Sequence, residues 1–243
     1  MILIQMGYKY LTGIDTVDQR SGGLTPGTNI LVLAPGFSNG EQVASYLARP
    51  GKGEFMIVLS NEIQAEELLN DLLSADNGFN KEYIGIIDAI TRSSNPSAAD
   101  KVKIKYVGSP NDLTGMDIRF SQLTETIMKG GFNTEPIEII PAPIRYCVLS
   151  LTSMLMFRKI DVIYQFLHVV SSKLKKMGFI GIYLLNNESF DPKTIAIVKQ
   201  LMNIVVEVRN DDEGTSLRIQ GSMGLAVNWK KFTFENGELI FIS

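Results

Sequence analysis

The stretch 29–48 constrains the fold more than any other part of the chain. A near-continuous apolar run is followed by a loop of small residues, and then by Val43, Ala44 and Leu47 on one face of a helix. An apolar strand without polar alternation needs cover on both faces, which is the situation of a parallel sheet wrapped by helices. Residues 55–59, 83–87, 145–149, 179–185 and 204–208 repeat the apolar run. Helical spacing fills the gaps: Leu68, Leu69, Leu72 and Leu73 within 63–73; Leu113, Met116, Phe120, Leu123 and Ile127; Ile163, Phe166, Leu167, Val170, Leu174 and Met177 within 159–177; and Ile195, Val198 and Leu201 after Asp191-Pro192. Beyond about residue 208 the pattern turns antiparallel, and Asn236-Gly237 is a type I′ hairpin signal.

This alternation predicts an α/β fold: a three-layer arrangement with a mostly parallel sheet, helices on both faces and an antiparallel C-terminal β extension at one edge. Neither an internal repeat nor a linker long enough to divide the 243 residues is present, so a single domain over 1–243 is expected. In finer detail, residues 1–28 read as turns leading into the first strand, 91–99 as the most mobile loop, and 132–143, with three prolines, as a connection. Ser109-Pro-Asn-Asp112 reads as a helix start with serine as the cap. Lys101, Lys103 and Lys105 share one face of a strand, as on a protected sheet edge. Cys147 is expected in the core and His168 on a solvated helix face.

Net charge is −3, with 45% hydrophobic and 20% charged residues. That balance gives no general attraction to nucleic acid or to anionic membranes, so neither is an expected partner. No apolar run approaches the ~20 residues of a membrane helix. Met1-Ile-Leu-Ile4 is too short for a signal-peptide core, and the location expected is cytoplasmic. One cysteine forbids an internal disulfide.

In a parallel α/β sheet, ligands sit beyond the C-terminal strand ends. The candidates are therefore the loop 34–42, Ser60-Asn-Glu62, Asp88, Ser150-Leu-Thr152 and Asn186-Asn-Glu188. The loop has the grammar of a phosphate cradle, with Gly36, Phe37, Ser38, Asn39 and Gly40 between strand and helix. Glu41 and Gln42, however, stand where such loops place a lysine followed by Ser or Thr.

The order Thr12-Gly-Ile-Asp15, Gly22-Gly-Leu24, Pro26-Gly27, apolar strand, loop, helix and a strand ending in Ser-x-Glu resembles the KaiC-like, RecA-superfamily ATPases of archaea. The likeness continues through Ile86-Ile-Asp-Ala89, Ser109-Pro-Asn-Asp-Leu113, Phe166-Leu-His168, Lys175-Lys-Met-Gly178 and Gln200 to Glu207, and covers nearly the whole chain. It implies a RecA-like P-loop NTPase fold. Carried over residue by residue, it also implies a degenerate site. Ala34 takes the place of the first loop glycine, and the loop is one residue longer. Glu41 and Gln42 replace the phosphate-clasping lysine and the magnesium-binding hydroxyl. Ser150 stands at the metal-holding aspartate, and Gly221-Ser-Met-Gly224 replaces the cations that reach a neighbouring subunit. Glu62 alone matches the glutamate that positions the attacking water, and is the one retained candidate catalytic residue.

The expected function is accordingly a non-catalytic regulatory or scaffolding module, a pseudo-ATPase, with no cofactor or metal and at most weak ATP binding at Gly36, Phe37, Ser38, Asn39, Gly40, Glu41, Gln42 and Ser150. A metal-independent anion or nucleotide site on the loop amides, or weak ATPase activity, is the alternative. The resemblance implies self-association or pairing with an active RecA/KaiC-like paralogue.

Overall fold

The computed structural model describes residues 7–74, 78–132, 142–212 and 214–242. Residues 1–4 and most of the connection 132–143, on which two of the expectations above fall, lie outside the described residues.

The helices are α1 (Asp15–Ser21), α2 (Gly40–Ala48), α3 (Ala65–Ser74), α4 (Thr91–Ser94), α5 (Leu113–Met128), α6 (Leu151–Phe157), α7 (Ile160–Met177) and α8 (Pro192–Lys199). The strands are β1 (Asn29–Ala34), β2 (Phe55–Ser60), β3 (Ile84–Asp88), β4 (Ile104–Tyr106), β5 (Ile144–Val148), β6 (Ile180–Asn186), β7 (Ile204–Asp211), β8 (Gly214–Gly221), β9 (Ala226–Glu235) and β10 (Glu238–Phe241). They form one ten-stranded sheet in the order β10-β9-β8-β7-β1-β6-β5-β2-β3-β4. From β7 to β4 all neighbours are parallel, and from β7 to β10 all are antiparallel. Strand β1 lies inside the sheet, so the loop that follows it opens at the centre of the C-terminal edge.

The period of two along each strand divides the core into two layers. Ile30, Val32 and Ala34 of β1 join Val17, Val43, Ala44, Leu47, Leu68 and Leu72 on one face. Leu31 and Leu33 join Met116, Phe120, Leu123, Ile127, Ile163, Leu167 and Val198 on the other. Cys147 is fully buried, and burial pushes its thiol well above the usual range. His168 is exposed on α7 and stacks on Tyr164. At Asn236-Gly237 both residues have positive φ, 51° and 76°, which is the backbone a type I′ turn requires.

Four details differ from the sequence reading. Residues 15–21 form α1 rather than turns; Asp18 accepts hydrogen bonds from the Thr12 and Gly13 amides and from the Thr12 hydroxyl, which fastens the entry to that helix. Residues 91–94 are helical, not loop, because the Asp88 carboxylate caps them. Helix α5 begins at Leu113, with Asp112 rather than Ser109 accepting the capping bond from the Gly115 amide. The edge strand β4 starts only at Ile104, because the Lys101 amide bonds the Ile104 carbonyl in a turn. Lys101 and Lys103 precede that strand and pair with Glu66 and Glu82.

Buried phenols add a pH dependence. Burial raises Tyr10, Tyr146 and Tyr183 above the usual tyrosine range, and burial together with the Glu54 carboxylate raises Tyr8. Tyr46 is pushed up to about 12, by burial first and then by the hydrogen bond it donates to Glu238. The unfolded chain releases these protons near pH ~10 while the folded chain keeps them. Stability is therefore unaffected below about pH 10 and falls as pH rises from there through 12. The urea midpoint is expected to be flat from pH 8 to 9.5 and to drop by pH 11; a midpoint constant to pH 11 contradicts this account.

Candidate functional site

The chain leaves β1 at Ala34 and re-enters regular structure at Gly40, the first residue of α2. A Cβ on Gly40 would sit 2.2 Å from the Ala34 Cβ, so the turn closes this tightly only with glycine there. Phe37 occupies the tip in the left-handed region (φ 55°) with its side chain fully exposed. Asn39 stands at the N-cap position without a side-chain capping bond.

Two of the loop amides, those of Gly36 and Gly40, have side-chain partners within the chain. The Gly36 N–H donates to Glu188 Oε2 at 3.2 Å. The Gly40 N–H donates to Ser38 Oγ at 3.2 Å, while that hydroxyl donates to the Pro35 carbonyl at 2.8 Å. Glu188 is held in turn, its amide on Asn186 Oδ1 and the Asn186 amide on Thr152 Oγ1. An amide that a phosphate cradle offers to an anion thus carries a carboxylate of the same chain.

Opposite the loop, Ser150 Oγ donates to Glu62 Oε1 at 2.7 Å and caps α6 by accepting from the Ser153 amide at 3.1 Å. Asn61 sits beneath this pair, its Nδ2 donating to the Ser150 carbonyl at 2.9 Å and to Ser153 Oγ at 2.6 Å. The resulting cleft, about 150 Å³, is lined by Gly36, Phe37, Ser38, Gly40, Glu41, Glu62 and Ser150 together with Thr152 and Asn186. Of the residues expected at the site, Gln42 faces a second cleft next to this one. Among the described residues, none of those lining either cleft carries a positive charge. Among the described residues no group of three or more His, Cys, Asp and Glu side chains is placed to hold a metal ion.

Two other sequence candidates lie elsewhere in the logic of the fold. Asp88 is fully buried and saturated by four hydrogen bonds from Ala65, Ile90 and Thr91, so it serves the backbone rather than a ligand. Gly221 pairs with Ile204 at the start of β7, which sets the turn Gly221-Ser-Met-Gly224 at the opposite end of the sheet from the cleft. In the sequence, Glu188 is distinguished only by its position after β6. Nothing in the sequence links it to Gly36, 152 residues away. The structure also assembles an aromatic–basic group that the sequence reading did not find. Arg209 and Arg218 lie over the Trp229 ring at 4.4 and 5.0 Å, and the two cations pair with Asp211 and Glu207.

A family described as a family of unknown function (DUF7504) matches residues 27–208. The chain belongs to that family. No curated protein matches it in sequence. Among solved structures, this DUF7504 chain is similar to the KaiC-like protein PH0186 from Pyrococcus horikoshii OT3 (TM-score 0.62, 14% identity, covering 97% of this chain and 99% of that one). It is also similar to the uncharacterized protein PH0321 from Pyrococcus horikoshii, solved in complex with an unknown peptide (TM-score 0.69, 15% identity, 96% and 99% covered). Identities this low speak for the fold alone, and the fold is that of the KaiC-like, RecA-type proteins. No helix among the described residues is long and apolar enough to cross a membrane.

Proposed function

We propose that this DUF7504 protein is a pseudo-ATPase, a RecA/KaiC-like cytoplasmic scaffold or regulatory module in which the chain's own carboxylates stand where a nucleotide's phosphates would lie. The observation that carries this reading is the Glu188 carboxylate on the Gly36 amide, at the border of a cleft whose described lining includes Glu41 and the Ser150–Glu62 pair and no cation. A like-charge contact at ~4 Å and an effective dielectric of ~20 costs about 4 kcal/mol. Phosphoryl transfer depends almost wholly on positioning and on electrostatic stabilisation of the phosphates. Glu62, hydrogen-bonded to a serine and lacking a phosphate clamp, has nothing to position a water against.

A polypeptide partner suits such a module, whether a second copy of the chain or an active RecA/KaiC-like paralogue. Phe37, Met156 and Phe157 are large apolar side chains left exposed, and one structural neighbour was solved with an unknown peptide.

Calorimetric titration with ATP and Mg²⁺ tests the reading. The expected dissociation constant is weaker than about 1 mM, where binding free energy falls to about −4 kcal/mol. Micromolar binding, or ATP turnover that Glu62→Gln abolishes, would overturn it. Inorganic phosphate titrated into a Glu188→Ala variant covers the alternative of an anion site on the loop amides: binding there but not in the wild type is the expected result, since that substitution frees the Gly36 N–H.

A further inference from the structure

Beside the loop cleft, between α2 and α3, lies a second and larger cavity of about 440 Å³. Its lining has two chemical halves. Leu68 and Leu72 of α3 contribute apolar surface, and Glu41, Glu62 and Asp71 contribute three carboxylates, with no cation among the described lining residues. Glu41, Glu62 and Asp71 are exposed, so they form a rim in contact with water.

Asn61 also lines this cavity and is 5% exposed. Its Nδ2 is identified by the Ser150 carbonyl it serves, since a carbonyl only accepts. The remaining atom, Oδ1, is therefore an acceptor, and it is buried without any hydrogen-bond partner. A buried acceptor left unmade costs free energy that a donor would recover. Every charged group lining the cavity is an acceptor as well. The missing occupant is thus a positively charged donor without acceptors, carried on an apolar body. An ammonium has three donors and no acceptor, and its alkyl stem lies readily along apolar surface. A metal ion is a poorer match, because no group of three or more potential ligands among the described residues is placed to hold one.

We propose that the cavity between α2 and α3 binds a primary alkylammonium group, with its charged head toward Asn61 Oδ1 and the carboxylates of Glu41, Glu62 and Asp71, and its methylene stem along Leu68 and Leu72. The same chemistry is carried by a free aliphatic diamine and by a lysine side chain of a peptide. The inference goes beyond the nucleotide reading and is independent of it, because it requires only the shape and charge of this cavity.

The test is titration of the nucleotide-free protein with 1,5-diaminopentane, with a short lysine-containing peptide and with 1-pentanol as the uncharged control. It is followed by amide NMR shifts in α2 and α3 and by calorimetry. Either amine is expected to shift these amides saturably while 1-pentanol does not, and the tighter of the two identifies the natural source. Glu41→Gln, Glu62→Gln and Asp71→Asn alter exposed side chains, so the fold is retained. Each alone should weaken binding about threefold, and the triple variant by tenfold or more, as expected of partly solvated charge pairs. The proposal is overturned if neither amine shifts these amides, if 1-pentanol binds equally well, or if the triple variant binds undiminished. Tight MgATP binding would defeat the pseudo-ATPase reading and leave this result untouched, so the two failures are distinguishable.

Discussion

Replacing Arg145 by alanine is expected to destabilise the protein by about 3–5 kcal/mol, the usual cost of breaking a buried ion pair from one side. Arg145 lies on β5 and is 2% exposed. Its Nε donates to Glu54 Oε2 at 2.5 Å, and its two terminal nitrogens donate to the carbonyls of Leu47 and Leu11 at 2.8 Å each. Its guanidinium also lies over the Tyr10 ring. Glu54 is equally committed, accepting from the Tyr8 hydroxyl at 2.6 Å and from the Gly51 amide at 2.9 Å. One guanidinium therefore joins the central sheet, the end of α2 and the segment around Tyr8 to Leu11. Removing it strands a buried carboxylate and two carbonyls. For a chain of this size each kcal/mol moves Tm by about 2–4 °C, so Arg145→Ala should melt about 10 °C or more below the wild type. The double variant Arg145→Met with Glu54→Gln is expected to recover part of that loss, since it removes the unpaired charge. A fall in Tm of only 1–2 °C for Arg145→Ala would mean that the pair contributes little to holding the N-terminal segment.

The parts of the fold legible in the sequence are those whose signal is local and repeated. The apolar runs of β1, β2, β3, β5 and β6, the stripe Met116, Phe120, Leu123 and Ile127, and the Asp191-Pro192 start of α8 all express a period or a cap within a few residues. Asp191 indeed caps through the amides of Lys193 and Thr194. Helix α1 has only seven residues, too few for a period to emerge, and short helices depend on tertiary contacts for their stability. The start of α5 was displaced because two residues able to cap stand three apart; Ser109 accepts from the Asn111 amide within a turn and leaves the helix to Asp112.

The site divides in the same way. The loop, Glu62 and Ser150 could be placed beyond the strand ends by topology alone, and the structure gathers them around one cleft. What occupies the loop could not be read, because Glu188 reaches Gly36 across the β1–β6 pairing, whose register is a property of the sheet. Asp71 of α3, Glu41 of α2 and Asn61 after β2 line one cavity only because the fold brings these three elements together. Arg209, Arg218 and Trp229 come from three consecutive strands, β7, β8 and β9, and meet only through the registers of their antiparallel pairing.

Asp88→Ala should carry a penalty comparable to that of Arg145→Ala, about 3 kcal/mol or more, for a different reason. Its carboxylate lies at the end of β3 without solvent contact. Oδ1 accepts from the amides of Ile90 and Thr91 at 2.8 and 2.7 Å, and Oδ2 from the Ala65 amide at 2.7 Å and the Thr91 hydroxyl at 2.6 Å. Two helix starts, α3 and α4, thus hang on one side chain. Alanine leaves three backbone donors without their acceptor, and each buried donor left unsatisfied costs about 1–3 kcal/mol. Asparagine separates the two helices. Its carbonyl oxygen can keep the Ile90 and Thr91 amides, but its NH₂ then faces the Ala65 N–H, donor against donor. Asp88→Asn is therefore expected to fall between wild type and Asp88→Ala in urea denaturation, with hydrogen exchange faster at the start of α3 than at α4. Because Leu68, Asp71 and Leu72 of α3 wall the larger cavity, the same substitution should weaken alkylammonium binding without touching any group that contacts the ligand. An Asp88→Asn protein with native α3 protection would show that the helix is held by its packing, and that the β3 carboxylate does not set the geometry of the cavity.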